Sequence, residues 1–424
     1  MVQKEITEML SFIDGNPTAF HTTASIRGVL LENGFSELLE SRAWHLEPGK
    51  GYFVCRNGSS IIAFRMGTQL SGYSFNVAAA HTDSPCFKIK ENAEIHVGDK
   101  YTKLNTEGYG GMICSTWMDR PLSVAGRVLV KENGAITSRL VALDRDLVLI
   151  PSVAIHMNRE VNDHTSFNKQ VDMLPLFGGA AEDGALQKLI AESLQIAPEQ
   201  ILGSDLYLYI REKSTVWGCH EEFLSSGRLD DQQCAYAILK GFLKGSSARS
   251  INVAACFDNE EVGSGTKQGA CSTFLYDVLH RIALSISSSE EDFCRAVASS
   301  FMFSADNAHA VHPNHPELSD RDNAPRLNGG IVLKFSAPRR YATDGGSAAA
   351  FRALCRRADV PVQTMANRSD LPGGSTLGSI AGTLVPVSAV DIGLAQLAMH
   401  AAVEVMGAED YPRLIAAMRQ FYKE

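Results

Sequence analysis

Short, mainly apolar runs are the main feature of this sequence. Residues 251–257 read INVAACF, the pattern of a strand that is buried on both faces. The run leads directly into Asp258-Asn259-Glu260-Glu261 and then into a glycine-rich turn. Comparable runs predict further strands over residues 51–56, 59–67, 73–80, 206–211, 301–303, 330–335, 360–365 and 384–391.

Apolar residues at helical spacing fill most of the stretches between these strands. The first clear example ends at Gly34, a residue type that is common just after a helix. The predicted helices cover residues 24–33, 183–193, 233–243, 272–286, 290–299, 348–357 and 394–406, and the last of them carries His400. The alternation of strands and helices predicts an α/β fold.

The middle of the chain has a different pattern. Residues 125–143 contain two strand patterns around Asn133-Gly134, a dipeptide that strongly favours a two-residue hairpin turn. We interpret this part as a mainly β domain that is inserted into a discontinuous α/β domain. The inserted domain covers residues 91–222, and the α/β domain covers residues 1–90 and 223–424.

Composition narrows the class of protein. A hydrophobic content of 45% over 424 residues is typical of a soluble globular protein of two or three domains. The net charge of -9 argues against nucleic-acid binding, and no stretch has the roughly 20 apolar residues that cross a membrane. The amino-terminal segment lacks a signal-peptide core, and nine scattered cysteines without a CxxC pair argue against a disulfide framework or a thiolate zinc site. We expect a cytoplasmic protein.

Metal-ligand residue types stand where three predicted strands end. His81 follows one strand, Glu260 and Glu261 follow the second, and Asp306 follows the third. In open α/β sheets, ligands bind outside the carboxyl ends of the strands. Two adjacent carboxylates after a buried strand are costly unless a positive group faces them, and a divalent metal would fit. The sequence therefore predicts a metal pocket at this edge of the sheet.

These residues also have interpretations without a metal. Two adjacent glutamates are by themselves more typical of a solvated acidic loop than of a metal site. His81 alone is more typical of a core histidine. Asp83 improves the metal interpretation, because a carboxylate near a ligating imidazole fixes its orientation and basicity.

Asp230, Asp306 and His400 have similar alternatives: a helix cap, an Asx turn and a partly buried surface histidine. The number of candidates favours metals, because two ions that share one bridging carboxylate need two further ligands each. Oxygen and imidazole ligands without thiolate suit zinc, or manganese or cobalt, and two ions about 3.5–4 Å apart would acidify a bridging water. With Glu260 left as the base, the five ligands are His81, Asp230, Glu261, Asp306 and His400.

Two other motifs carry less chemistry. His309, His312 and His315 lie on a loop that prolines break, and we favour the wall of a pocket beside Asp306 over a separate metal site. The glycine turn 263–269 matches neither the G-x-G-x-x-G motif nor the Walker A loop, and two acids stand directly before it, so we do not interpret it as a phosphate-binding loop. The sequence contains no G-x-S-x-G elbow, so a serine hydrolase of that type has no support.

Taken together, the motifs resemble the M18 metallopeptidases, the aspartyl aminopeptidases. The resemblance runs nearly end to end, and six specific segments in this order carry it; the segment 315–326 departs from eukaryotic members. The six segments are AAAHTDSP (78–85), SGRLDD (226–231), DNEEVGS (258–264), SADNAHAVHPNH (304–315), RRYAT (339–343) and LAQLAMH (394–400).

The resemblance implies a fold and a centre. The fold is a mixed-sheet zinc-peptidase catalytic domain with helices on both faces, and the inserted domain would serve dimerisation. Glu260 would be the general base, and Asp83 would support His81. The implied ligands are His81, Asp230 and Asp306 for one zinc, and Asp230, Glu261 and His400 for the other.

The resemblance also implies a substrate and an assembly. The family removes N-terminal Asp or Glu from peptides and commonly assembles as a tetrahedral dodecamer built from dimers. His156 would reach a neighbouring subunit's site. The other implied substrate contacts are His309 and Lys334 for the acidic side chain, and Gly374, Ser375 and Thr376 for the peptide backbone.

The function that we expect is hydrolysis of the first peptide bond by a metal-activated hydroxide, with Glu260 moving the proton. A broad-specificity di-metal aminopeptidase or deacylase of the same fold is the alternative among enzymes. A catalytically idle assembly protein is the alternative from another class. Comparable turnover of Leu- and Asp-peptides would favour the first alternative, and an empty metal site the second.

Overall fold

The computed structural model of this chain describes residues 2–180 and 183–424. They form two compact units. The first comprises the chain up to Asp83, Ser214–Met399 and Glu404–Glu424, and the second comprises Ser84–Lys213 with the short segment His400–Val403.

The observed divisions at Asp83 and Lys213 fall seven and nine residues before the predicted ones at 90 and 222. The first difference arises because one strand, Cys86–Val97, runs across residue 90 and pairs within the second unit. The second arises because Thr215–Trp217 pairs with Phe223–Ser226 within the first unit.

Helices and strands alternate in the first unit, and strands dominate the second. In the described residues, the α-helices are α1 (Val2–Gly15), α2 (Ala19–Glu32), α3 (Ala185–Leu194), α4 (Leu229–Lys244), α5 (Phe274–Ser285), α6 (Glu290–Ala298), α7 (Gly345–Arg357), α8 (Leu377–Leu384) and α9 (Asp410–Phe421). The strands are β1 (Ser36–Glu37), β2 (Gly51–Arg56), β3 (Ser60–Arg65), β4 (Ser74–His81), β5 (Cys86–Val97), β6 (Tyr101–Tyr109), β7 (Leu122–Glu132), β8 (Ala135–Ala142), β9 (Leu176–Gly179), β10 (Ile201–Ile210), β11 (Thr215–Trp217), β12 (Phe223–Ser226), β13 (Ser250–Phe257), β14 (Phe301–Ala305), β15 (Ala308–His309), β16 (Ile331–Phe335), β17 (Val362–Ala366), β18 (Ser388–Gly393), β19 (Ala395–Leu397) and β20 (Glu404–Gly407).

A nine-stranded mixed sheet forms the centre of the first unit, in the order β1-β2-β3-β13-β4-β14-β18-β16-β17. Its middle strands β13, β4, β14 and β18 are parallel, whereas β3 and β16 join them in antiparallel fashion. All eight residues of β13 are buried, as its mainly apolar sequence predicts.

Helices cover both faces of this sheet. Successive residues of β4 belong to different cores: Ala78 and Ala80 pack with α1, α2, α4, α7 and α9, whereas Val77 and Ala79 pack with α5, α6 and α8. This alternation follows from the two-residue period of a strand. The predicted α/β fold, a mixed sheet with helices on both faces, is confirmed.

The second unit contains a six-stranded antiparallel sheet in the order β8-β7-β10-β5-β6-β9. The hairpin predicted at Asn133-Gly134 joins β7 to β8, and both turn residues have positive φ, at 50° and 79°. The apolar core of this unit includes Phe87 and Trp117 in edge-to-face contact and the buried side of α3. No helix in the described part of the chain is both long and apolar enough to cross a membrane.

The predicted helix over residues 394–406 is wrong. The stretch instead forms β19 and β20, which pair antiparallel with Gln396 opposite Met406, and a small five-stranded sheet in the order β11-β12-β20-β19-β15 includes both. His400 has φ 67°, a left-handed conformation that an α-helix excludes. Pairing between strands distant in sequence overrides the helical propensity of this alanine- and leucine-rich segment.

The predicted strand over residues 384–391 begins only at Ser388. Leu384 is the last residue of α8, whose apolar sequence is compatible with either structure, and residues 385–387 connect that helix to the strand.

Candidate metal centre

Three neighbouring parallel strands end at one edge of the main sheet. β4 ends at His81, which lies opposite Phe257, the last residue of β13. β14 pairs with the other side of β4 and ends at Ala305, directly before Asp306. The chain after Phe257 continues into Glu260 and Glu261, so the three predicted strand endings lie side by side in the first unit.

His81 lies at the middle of this edge and is only 1% exposed. Its Nε2 is 3.5 Å from Asp230 Oδ1, and its Nδ1 is 3.0 Å from the main-chain oxygen of Asp83. The ligand atoms of His81, Asp230 and Asp231 lie within 4.8 Å of one another, and so do those of His81, Glu260 and Glu261. Each group has the size of a metal-binding site.

The carboxylate of Asp83 holds the main chain of the two glutamates. Its Oδ1 accepts the N–H of Glu260 at 3.2 Å, and its Oδ2 accepts the N–H of Glu261 at 3.1 Å. Oδ1 is also 3.4 Å from Nδ1 of His81. One buried carboxylate therefore positions three candidate site residues, whereas the sequence suggested only its role toward the histidine.

Asp230 and Asp231 open α4 but have non-helical backbone angles. They mark a break in the helical backbone directly after Leu229, the first residue of α4. The Asp230 N–H donates to Glu404 Oε2 at 3.0 Å, and Asp231 Oδ2 accepts the His81 N–H at 3.2 Å.

Asp231 and Glu404 are residues that sequence reasoning missed. Both are buried. The available signals were the doubled aspartate in SGRLDD and a single acid inside the apolar stretch AAVEVMG. Neither signal shows a partner, because Glu404 contacts Asp230 across 174 residues of sequence.

Asp306 pairs with the ammonium group of Lys334. The two are 3.2 Å apart, and Lys334 is only 2% exposed, with its Nζ 5.4 Å from the ring centre of Tyr341. Burial acts to lower the pKa of Lys334, but the negative charges around it, Asp306 first, raise the pKa above its usual value. Lys334 therefore stays charged.

The acidic groups of this edge destabilise one another's charge. Burial raises the pKa of Glu260 to about 8, and although the His81 charge acts against this, the Asp306 and Asp83 charges add to it. Burial and the neighbouring aspartates likewise raise the pKa of Asp231 well above its usual range, and burial raises that of Asp306.

Divalent cations fit this set of donors. Among the described residues, Asp231 Oδ1 is buried without a hydrogen-bond partner, which is costly in the absence of a positive group. Imidazole and carboxylate without thiolate is a donor set that zinc accepts. Among the described residues, none of the side-chain groups small enough to hold a metal ion contains His309, His312 or His315.

The remaining predicted site residues come from both units. His400 and His156 belong to the second unit, where His400 Nδ1 is 3.1 Å from the Gly111 carbonyl and His156 is exposed on a segment without regular structure. In the first unit, His309 is exposed on β15, and Gly374 and Ser375 are exposed before α8.

Thr376 is buried, and its hydroxyl donates to Asp391 Oδ1. The other oxygen of Asp391 accepts the Ala342 N–H. Asp391 therefore joins two loops beside the centre, a role that its position near the end of a predicted strand did not indicate.

Comparison with known proteins identifies the family. Residues 12–422 match the profile described as aminopeptidase I zinc metalloprotease (M18). A protein of Clostridium novyi named probable M18 family aminopeptidase 2 is 45% identical over 99% of this chain and 98% of its own length.

Solved structures have the same fold. The structure titled as the Ape4 and Nbr1 complex is 34% identical, with a TM-score of 0.96 over 99% of this chain and 86% of that one. The S. cerevisiae mApe1 dodecamer is 26% identical, with a TM-score of 0.84 over 98% of this chain and 95% of that one. The resemblance predicted from the six segments is confirmed, and this chain belongs to the M18 family of aminopeptidases, which are zinc metalloproteases.

Proposed function

We propose that this chain is a di-metal aminopeptidase that removes N-terminal aspartate or glutamate from peptides. The observation that carries the proposal is the group of buried acids around His81 at one edge of the sheet, with the charged Lys334 beside Asp306. The acids offer ligands for metals, and the lysine offers a cation for an acidic substrate.

The proposed ligands form two sets that share Asp230. His81, Asp230 and Asp306 would hold one ion, and Asp230, Glu261 and His400 the other. His400 suits this role because its Nδ1 lies against the Gly111 carbonyl, which leaves Nε2 as the ligand atom. Zinc, or manganese or cobalt, would polarise the substrate carbonyl and lower the pKa of a water.

Glu260 is the proposed proton carrier. Its carboxylate lies within 4.8 Å of the ligand atoms of His81 and Glu261, so it would be placed to accept a proton from a metal-activated water and return it to the leaving amine. The Asp83 carboxylate fixes the Glu260 main chain through its N–H. Asp83 is thus a positioning residue for this step.

The proposed specificity rests on Lys334 and His309, with Gly374, Ser375 and Thr376 holding the peptide backbone. Lys334 is buried and cationic, and a buried cation favours a carboxylate far more than an apolar side chain. The hydrogen bond from Thr376 to Asp391 fixes one end of the backbone-binding loop.

A panel of peptides that differ in their first residue tests this proposal. We expect kcat/KM for Asp- and Glu-peptides to exceed that for Leu-peptides by about 10²-fold or more, because an apolar side chain leaves a buried charged group unmatched. Lys334→Ala should reduce this ratio, and Lys423→Ala, at an exposed lysine, should leave it unchanged.

One observation favours the alternative of a broad-specificity aminopeptidase or deacylase. Lys334 already forms an ion pair with Asp306, so less of its positive charge is left for an acidic substrate side chain. Equal kcat/KM for Leu- and Asp-peptides in the unaltered enzyme would support that alternative. An equal loss on both peptides in Lys334→Ala would remove Lys334 from specificity. A protein that binds no metal and cleaves neither peptide would be the idle assembly protein.

The hydrogen bonds of Asp83 predict a second effect. In Asp83→Asn, one acceptor oxygen becomes an NH₂ group that faces a main-chain N–H, so we expect zinc affinity or kcat to fall about 10–100-fold. Isothermal titration of the metal-free protein with zinc and steady-state kinetics would measure the two quantities.

Asp258→Asn is the matched control for this substitution. Burial, together with the Asp83 charge, raises the pKa of Asp258 to about 7. Asp258→Asn therefore removes less negative charge at neutral pH than Asp83→Asn does. Equal losses in both variants would mean that any carboxylate in this loop matters and that Asp83 has no special role.

We also propose that the chain assembles through its second unit into dimers and then a tetrahedral dodecamer in the cytoplasm. The segment around His156 supports this, since Val153, Ile155 and Met157 are exposed, the last at 82%. His156 would then act in the site of a neighbouring copy. The structure of the S. cerevisiae relative is titled a dodecamer, and the nine cysteines are unpaired, as in a reducing compartment.

A further inference from the structure

A cavity of about 380 Å³ opens in the first unit beside the proposed substrate-binding segments. His309 lies in its wall, three residues after Asp306, and so does Gly373, directly before the loop at Gly374. Met365, a third wall residue, pairs in register with Lys334 on the neighbouring strand. The cavity therefore adjoins the proposed substrate-binding segments, and its size is in the range of small-molecule pockets, about 300–1,000 Å³.

Apolar side chains make up much of this wall. Leu318 and Leu371 are 57% and 45% exposed. Met365, Pro325 and Pro372 add further apolar surface. Single exposed apolar residues need no explanation, but several around one cavity next to a catalytic site mark a binding surface.

The two charged side chains of the wall, Arg368 and Asp320, each have partners already. Arg368 donates to both oxygens of Asp370, at 2.9 and 2.7 Å. Asp320 accepts from the main chain and the side chain of Asn323, and from the main-chain N–H of Asp322. The wall consequently offers little net charge to a ligand.

The wall also contains a pair of histidine rings, His312 and His315, with centroids 5.4 Å apart. His315 Nδ1 is 3.1 Å from Glu317 Oε1. Flat rings beside leucine and proline suit an aliphatic or aromatic side chain.

We propose that this cavity takes the side chain of the second substrate residue, the one after the scissile bond, and that it prefers an aliphatic or aromatic residue. The assignment rests on the proposed function, in which the buried Lys334 recognises the acidic first residue. The cavity is less suited to that first residue, because Lys334 is not among its wall residues and Arg368 is already paired with Asp370. His309, which the proposed function assigns to the first side chain, would lie at the boundary between the two. An exposed, mainly apolar cavity that adjoins the centre suits the following residue.

Tripeptides of the form Asp-Xaa-Ala test this assignment on the zinc-loaded full chain. With Xaa as Leu, Phe, Ala or Asp, we expect kcat/KM for Leu and Phe to exceed that for Asp by about tenfold. Leu371→Ala should bring the Leu-to-Asp ratio at the second position close to one. Leu284→Ala, at a leucine of α5 that is 55% exposed, is the matched control and should keep the ratio.

A second series, Asp-Leu-Ala against Leu-Leu-Ala, separates this assignment from the proposed function. The ratio in this series reports the first residue only, and Leu371→Ala should leave it unchanged. Equal rates for all four second residues would overturn the assignment while leaving the preference for an acidic first residue intact. A change of first-residue preference in Leu371→Ala would also overturn it, since the cavity would then hold the first side chain.

Discussion

Replacing Glu260 with glutamine should lower kcat by about 10³-fold, since general acid–base catalysis typically contributes 10²–10⁴-fold. The amide has the shape of the carboxylate but does not accept the proton of the attacking water. The main-chain N–H of residue 260 still donates to Asp83 in the variant. The proposed ligands are therefore undisturbed, and we expect bound zinc to match that of the unaltered enzyme.

Steady-state kinetics on an Asp-peptide and elemental analysis of the dialysed protein measure these two quantities. Glu291→Gln, at an exposed glutamate of α6, is the control for the substitution and should keep full activity. Unchanged turnover in Glu260→Gln would remove Glu260 from the mechanism. Loss of zinc from that variant would make it a ligand rather than the proton carrier.

Removal of metal should abolish activity and lower thermal stability together. His81, Asp230, Asp231, Glu260 and Asp306 bring one imidazole and four acids to a buried edge, where like charges repel and burial raises pKa values. Bound cations offset that repulsion in the folded state only. At a zinc concentration of 100 times Kd, the stabilisation is about 2.7 kcal/mol for one site.

Chelation followed by gel filtration, then titration with zinc, manganese or cobalt, would measure both effects. Activity and the unfolding midpoint should recover over the same range of metal concentration. Glu260→Gln should show a smaller shift of the midpoint, because one buried acid is gone while the proposed ligands remain, and its activity should not recover. An unfolding midpoint that does not respond to chelation would contradict the proposed metal centre.

Much of the fold follows from local sequence pattern. The buried strands β4, β13 and β14 follow from short, mainly apolar runs, which are typical of strands buried on both faces of a sheet. Their adjacency at one edge follows from the parallel pairing of strands in α/β sheets. The position of His81 and of the two glutamates at that edge could therefore be predicted without knowing which residues they contact.

Contacts between distant parts of the chain could not be predicted from the local sequence pattern. The segment around His400 has helical spacing, yet β19 and β20 form because strands from elsewhere pair with them. The bond from Asp230 to Glu404 and the bonds from Asp83 to the glutamates join residues at least 174 positions apart. No spacing rule indicates such partners, since each is set by how the elements pack.

The double hydrogen bond from Asp83 has a consequence for changes to this enzyme. Glu260 and Glu261 are consecutive residues, and the single carboxylate of Asp83 accepts the main-chain N–H of both. A loop exchange that displaces the proton carrier by a fraction of an ångström will displace the neighbouring metal ligand by a similar amount. Variants that retune acid–base behaviour here must therefore change the surroundings of the Glu260 side chain and leave its backbone in place.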